Sequence, residues 1–365
     1  MKNSDEIFMR RALMLAGRGQ GFTAPNPLVG CVIVKDNKII SEGWHKKFGE
    51  AHAEINALNY ARNNKIDVTG ATMYVTLEPC SHYGKTPPCA LRIIDEKISK
   101  VVIAMKDINP KVNGNGIKIL NEAGIETVTG ICEREAKFIN RGFISAFKRK
   151  RPYVVVKAAS SLDGKLALDN GDSKWITGLE ARTEAHKIRS ENDGVLIGVN
   201  TVLKDDPELT VRLIEGVSPK RIILDADLKT PLNAKILPCI ILTSEHADEN
   251  KSRALENAGA IVKRLPENNG IINLKAALEY LALEAGVLKL MIEGGASVIS
   301  SFIKENLADE LKLFIAPKIL GHGITIGDGI NLKSVADSCV LNDLKSRPIG
   351  EDILIEGFFK CSQDL

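Results

Sequence analysis

The chain has 365 residues, 44% apolar and 26% charged, with a formal net charge of +3 and seven cysteines. That length favours two domains. So mild a charge speaks against a strongly electrostatic nucleic-acid binder, and few cysteines in odd number speak against a secreted disulfide scaffold. No apolar run approaches the ~18 residues of a membrane span. Near the start, Arg18 interrupts the only signal-like patch and no small-residue cleavage site follows. A cytoplasmic protein with neither membrane nor nucleic acid as partner is expected.

In chain order, Ile7, Phe8, Leu13 and Leu15 mark one face of a helix at about 5–18. LVGCVIV and KIISEGW, joined at Asp36-Asn37, predict a β-hairpin. AEINALNYAR has helical spacing, and ATMYVTL is a buried-strand run rich in β-formers. CALRIIDEK (helix), KVVIAM (strand), a helix ending at Gly124 and the strand IETVTG complete a helix-covered sheet. FKRKRP then changes the texture, and the weak overall charge favours a solvated linker over a nucleic-acid patch. A second alternation follows. It runs through PYVVVKAASSLDGKLAL, with a turn at Asp163-Gly164, the helix ARTEAHKIRSE, and the strands GVLIGV, RIILDAD, CIILTS and LKLMIEGG. The helical NLKAALEYLALEAG lies among these strands, and ELKLFIAPKIL and EDILIEGFFK make a strand-rich end. Two α/β domains are expected, 1–147 and 148–365.

His52, Cys80 and Cys89 form an N, S, S donor set suited to zinc, and three protein ligands leave a fourth position for water. His45 and His82 are the nearby candidates for a fourth ligand. Glu54 is placed to take a proton from a metal-acidified water. A disulfide between the two cysteines, or two unrelated buried thiols, are the competing readings. The combination of His-Ala-Glu, Glu-Pro-Cys and a cysteine opening a helix favours a catalytic metal. It matches the H-x-E…P-C-x-x-C pattern of zinc deaminases of bases, with eight residues between the cysteines instead of two. That insert, SHYGKTPP, offers Ser81, His82, Lys85 and Thr86 to a polar or phosphorylated substrate.

The stretches PNPLVGCVI, GWHKKFGEAHAE, GATMYVTLEPCSHYGKTPPC and DINPKVNGNGIKILNEAGIE resemble the deaminase half of the bifunctional riboflavin-biosynthesis family usually called RibD. The resemblance implies a cytidine-deaminase-like three-layer α/β/α domain holding one Zn2+. It implies zinc-assisted hydrolytic deamination of a phosphoribosylated diaminopyrimidinone, with Glu54 shuttling the proton and Asn26, Ser81, His82 and Lys85 touching substrate. The chain departs from the family at Leu91-Arg92 and at Asp107-Ile108-Asn109-Pro110; neither change touches a ligand.

In the second half no GxGxxG follows a strand, so a Rossmann site is not supported. LMIEGGASVISSFIK places glycines before a helix, a candidate anion site or only a tight turn. With SLDGKLAL, DSKWITG and NTVLKDDPELTVR, it resembles the reductase half of the same family, a domain similar to dihydrofolate reductase. The resemblance implies NADPH-dependent reduction of the ribosyl group to ribityl. It assigns Ala159, Trp175, Thr201, Asp205 and Gly294, Gly295, Ala296, Ser297, Val298, Ile299, Ser300 and Ser301 to the cofactor. Lys157, Ser173, Arg189, Leu209, Arg212 and Glu293 fall to the substrate, and Asp205 to positioning or proton transfer. Ala226 stands where the family can carry a cofactor-touching serine. Two alternatives stay open: a nucleoside or tRNA deaminase with an unrelated appendage, and a structural-zinc module in which Glu54 is a bystander. A homo-oligomer is expected from the apolar strands of the second half.

Overall fold

The computed structural model describes residues 2–81, 83, 87–109, 113–268 and 270–362. They divide into two compact units, Met1–Arg149 and Lys150–Leu365.

In the first unit, α1 (Lys2–Gly17) precedes a hairpin of β1 (Gly30–Lys35) and β2 (Lys38–Trp44). Asp36 and Asn37 both sit at positive φ, 52° and 59°, as the turn that matches strand twist requires. Then come α2 (Ala53–Asn63), β3 (Thr72–Leu77), α3 (Cys89–Asp95), β4 (Lys100–Met105), α4 (Asn115–Glu122), β5 (Glu126–Thr129), α5 (Glu133–Ile139) and α6 (Arg141–Arg149). The sheet order is β2-β1-β3-β4-β5, with β3, β4 and β5 parallel. TMYVTL and KVVIAM are buried at every residue after the first because both faces are covered. α2, α3 and α4 close over Cys31, Ile33, Met73 and Ile103, and α1 and α5 pack on the sheet as well. This is the expected three-layer arrangement. Phe147, Lys148 and Arg149, read in the sequence as linker, instead finish α6, whose apolar face is buried through Phe143, Ile144 and Ala146.

Gly43 fixes how closely α2 approaches. A Cβ there would fall 2.4 Å from both the Ala53 carbonyl oxygen and the Ala57 nitrogen. Only a glycine lets the helix start, which carries His52, rest on β2.

The second unit begins with β6 (Tyr153–Ser161) and β7 (Lys165–Ala167), then α7 (Leu179–Ser190), β8 (Gly194–Gly198), α8 (Val199–Asp205), β9 (Lys220–Leu224), β10 (Ile240–Ser244), α9 (Glu249–Asn257) and β11 (Ile261–Leu265). A two-residue pair, β12 (Glu267–Asn268) and β13 (Ile271–Ile272), leads to α10 (Leu274–Leu283), β14 (Lys289–Ile292), α11 (Ala296–Lys304) and β15 (Glu310–Ala316). β16 (Ile324–Thr325), β17 (Leu341–Ile349) and β18 (Asp352–Phe359) end it. Nine strands form one sheet, β11-β10-β9-β8-β14-β6-β15-β18-β17, antiparallel only at the β15-β18-β17 edge. Val154, Val156, Leu196, Leu290 and Ile292 centre its largest core with α10 and Phe302 of α11. Among the described residues no helix is long and apolar enough to cross a membrane.

Candidate active sites

In the first unit three element ends converge. His52 is the N-cap of α2, Cys89 is the first residue of α3, and Cys80 follows the carboxyl end of β3. Their donor atoms all lie within 4.8 Å of one another. His52 Nδ1 stands 3.6 Å from Cys80 Sγ and 3.3 Å from Cys89 Sγ. Bonds of about 2.3 Å to sulfur and 2.0 Å to nitrogen at tetrahedral angles would separate S and N by about 3.5 Å, so the spacing fits zinc. The Cys89 amide donates to Cys80 Sγ at 3.2 Å. Cys80 is held in its thiolate form, near a pKa of about 4, by hydrogen bonds from Cys89 and His52. Positive helix ends at α2 and α3 favour the same state.

Glu54 is the second residue of α2 and is buried. Burial pushes its carboxyl above the usual range, with His52 opposing, which suits a group that alternately takes and gives a proton. His45 is not a ligand. Its Nδ1 donates to the Ala51 carbonyl at 3.1 Å, so Nε2 accepts from Asn26 Nδ2, also at 3.1 Å. This holds Asn26 against His45, whose ring centroid lies 5.6 Å from that of His52. Ser81 is half-buried next to Cys80; His82 and Lys85 lie outside the described residues.

Glu78 carries a role the sequence reading missed. Buried at the start of the ligand loop, its carboxylate accepts from the amides of Asp107, Gly114, Gly116 and Ile117 at 3.0–3.3 Å. Gly116 permits this closeness, since a Cβ there would lie 2.1 Å from the Pro79 carbonyl oxygen. The only sequence signal was a glutamate preceding Pro79-Cys80, easily read as motif filler.

In the second unit, β14 pairs with β6 so that Ile292 faces Val156, and the next residues, Glu293 and Lys157, meet at 3.4 Å. Arg189 reaches Glu293 from α7 through Nε at 3.1 Å and Nη2 at 2.8 and 2.9 Å, and donates Nη1 to the Thr210 carbonyl at 2.7 Å. Burial raises the Glu293 carboxyl, but Arg189 and Lys157 outweigh it and hold it below its ordinary value. Three residues from distant segments thus form one cluster. Arg212 is about half exposed and touches Glu208 and Thr210, each at 3.3 Å. Leu209 is at φ 52° with its side chain in the core, so only its backbone faces outward.

Ser173 is half-buried beside Trp175, which is 63% exposed under the Arg182 guanidinium. Lys174 ties this loop to Asp205 at 3.0 Å, and Thr201 lies on the same helix, α8. Ala159 sits on β6, packed near Phe314. Gly294-Gly295 turn into α11, whose first amides, at Ala296 and Ser297, have no intrahelical acceptor and suit a phosphate. The stretch to Ser301 is helix, not loop. Ile299 and Ser300 turn into the core, and the Ser300 hydroxyl lies 2.6 Å from the Ala296 and 2.5 Å from the Asp328 carbonyl oxygens. Their side chains are therefore turned away from solvent. Val298 packs instead against Gly294 and Gly198, and Ser301 donates to the Ser297 carbonyl.

Residues 2–105 match the cytidine and deoxycytidylate deaminase zinc-binding region, and residues 152–355 match the RibD C-terminal domain. The riboflavin biosynthesis protein RibD of Aquifex aeolicus is 44% identical over 366 residues, spanning 99% of both chains. The chain belongs to the RibD family. Two solved structures agree with that placement. RibD of Acinetobacter baumannii superposes with a TM-score of 0.89 at 39% identity, covering 99% of this chain and 100% of the other. A diaminohydroxyphosphoribosylaminopyrimidine deaminase/5-amino-6-(5-phosphoribosylamino)uracil reductase of Thermotoga maritima gives 0.89 at 38% identity, covering 98% and 99%. As a RibD-family member the chain is a bifunctional deaminase and reductase of riboflavin biosynthesis, with a zinc-binding deaminase domain and a reductase domain.

Proposed function

We propose that the chain acts on 2,5-diamino-6-(5-phosphoribosylamino)pyrimidin-4(3H)-one, first replacing its ring amino group by oxygen, then reducing the ribosyl group to ribityl with NADPH. The observation that carries this reading is the His52, Cys80, Cys89 cluster at zinc spacing with buried Glu54 beside it. Residues 1–147 are taken as the deaminase domain and 148–365 as the reductase domain.

One Zn2+ held by His52, Cys80 and Cys89 would acidify a bound water and so supply the nucleophile. Glu54 receives the water proton and hands it to the departing amine, so ammonia leaves neutral. Asn26, held by His45, donates to the pyrimidine edge, and Ser81, His82 and Lys85 bind the polar remainder of the substrate. In the reductase domain a bound NADPH would supply a hydride for the anomeric carbon of the ring-opened imine. The α11 start, with Gly294, Gly295, Ala296 and Ser297, accepts a cofactor phosphate, while Trp175, Thr201 and Asp205 line the same crevice at the carboxyl ends of β6, β8 and β14. Lys157 and Glu293 meet the ribosyl hydroxyls, and Arg212 grips the phosphate. Arg189 spends most of its donors on Glu293 and Thr210, so its task is to hold Glu293 and not the phosphate.

The test is ammonia release by wild type and Glu54→Gln, each assayed for zinc, with NADPH oxidation followed on the deaminated product. A zinc-loaded Glu54→Gln slower by ~10² or more, with NADPH oxidation intact, is expected. A zinc-loaded wild type that releases no ammonia would overturn the proposal.

A further inference from the structure

His186 stands outside every role given so far, yet it is buried on α7 one turn before Arg189. Its Nδ1 accepts the Arg212 amide at 3.0 Å. An amide nitrogen can only donate, so Nδ1 carries no proton and the ring is neutral with its hydrogen on Nε2. The state is enforced by the surroundings. Burial, then the charges of Arg189 and Arg212, lower its pKa to about 4; Lys157 adds to this and Glu293 opposes it.

The same helix holds both ends of a short segment. Arg189 grips the Thr210 carbonyl, Ser218 Oγ accepts the Val211 amide at 3.0 Å, and His186 takes the Arg212 amide. Leu209 just before them is anchored in the core at φ 52°, a conformation a branched side chain adopts only when its neighbours impose it. Beyond this clamped backbone the Arg212 side chain leaves the surface with two hydrogen bonds among the described residues, each at 3.3 Å. A long flexible cation is accurate only if its Cα is fixed.

We propose that His186 is a positioning residue of the reductase domain, a neutral acceptor that fixes the Arg212 backbone so that the Arg212 guanidinium meets the phosphate end of the substrate. This rests on the reading of Arg212 as the phosphate contact. The role requires Nδ1 as acceptor, which asparagine reproduces and leucine does not.

The experiment measures kcat and KM for NADPH oxidation in wild type, His186→Leu, His186→Asn and Arg212→Met, on the phosphorylated substrate and on its dephosphorylated riboside. Ammonia release and melting temperature report folding. The expected result is a KM for the phosphorylated substrate raised ~10-fold or more in His186→Leu, unchanged kinetics on the riboside, and recovery in His186→Asn. Amide exchange at residue 212 should be slow in wild type and His186→Asn and fast in His186→Leu. Equal losses on both substrates, or no change in KM while Arg212→Met raises it, would overturn the inference alone. An Arg212→Met enzyme that treats both substrates as wild type does would overturn the phosphate reading and the inference with it. Should His186→Leu fail to fold, slow exchange at residue 212 and a wild-type KM in His186→Asn still support the role, and a raised KM with slow exchange refutes it.

Discussion

Arg189 shows how burial decides what a side chain does. The family pattern makes it a substrate contact, and guanidinium chemistry suits phosphate; the structure instead commits it to Glu293 and the Thr210 carbonyl. Its side chain is 7% exposed and that of Glu293 15%, so removing Arg189 leaves a buried carboxylate with Lys157 at 3.4 Å as its remaining cation among the described residues. Arg189→Met should lower unfolding stability by about 3–5 kcal/mol and abolish NADPH oxidation. Arg189→Met/Glu293→Gln should regain part of the stability and none of the activity, as urea unfolding with parallel assays would show. Equal instability of single and double variants would mean the pair is only packing. The cluster of His52, Cys80 and Cys89 was legible from the sequence because donor type and motif restrict it. The partners of Arg189 were not, since Thr210 and Glu293 come from segments whose approach only the sheet defines. His186 gave no signal at all: one histidine on a polar helix is indistinguishable from a surface residue until its partner is seen.

At the scale of elements, hydrophobic period and turn chemistry placed most strands and helices, and the Asp36-Asn37 hairpin and the α/β alternation stand in the structure as read. Tertiary cover overrode the local signal at α6, where the basic run looked like linker but its preceding apolar face docks and carries the helix through Arg149. The Gly-Gly turn was legible, while the inward rotation of Ile299 and Ser300 was not, because helix phase depends on where the first turn begins. The loop that bears Cys80 is secured by Glu78 and its four amides. Losing that acceptor leaves the buried Gly116 amide and the part-buried amides of Asp107, Gly114 and Ile117 without it, at about 1–3 kcal/mol for a fully buried donor and less for the others. Glu78→Ala should therefore cost several kcal/mol and weaken zinc retention, read by thermal unfolding and by release to a chromophoric chelator. Full zinc retention with unchanged melting would show that the loop holds itself.

For the whole molecule, the two units predict separable responses to solution conditions. Chelation should stop ammonia release while NADPH oxidation on deaminated substrate continues; loss of both together would contradict the division of labour. Acid should act on the second unit through His186. Its pKa falls from 6.5 to about 4 on folding, so between those values the unfolded chain binds more protons. The His186 contribution to stability is therefore constant above pH 6.5 and drops as pH falls through the window, by up to ~1.4 kcal/mol per pH unit. His186→Asn should lack that slope in unfolding measured from pH 7 to pH 4, and an identical slope in both proteins would exclude His186 as its source. Self-association is expected as well. Leu344 is exposed on the edge strand β17, and Ile319, Leu332, Val335 and Val340 are exposed in the segment that precedes it; sedimentation would show a species heavier than one chain.

The position of β6 in its sheet also sets an order in time. β6 is the first strand of its unit to be made, yet both of its neighbours, β14 and β15, are among the last. A ribosome moving at about 5–20 residues per second needs of the order of ten seconds to travel from Ser161 to Lys289, and throughout that interval the Val154–Val156 run has no native sheet partner. The deaminase unit has by then received every strand it needs. Nascent chains arrested before Lys289 should accordingly carry a protease-resistant first unit and a digestible remainder, so the enzyme's first activity is born well before its second.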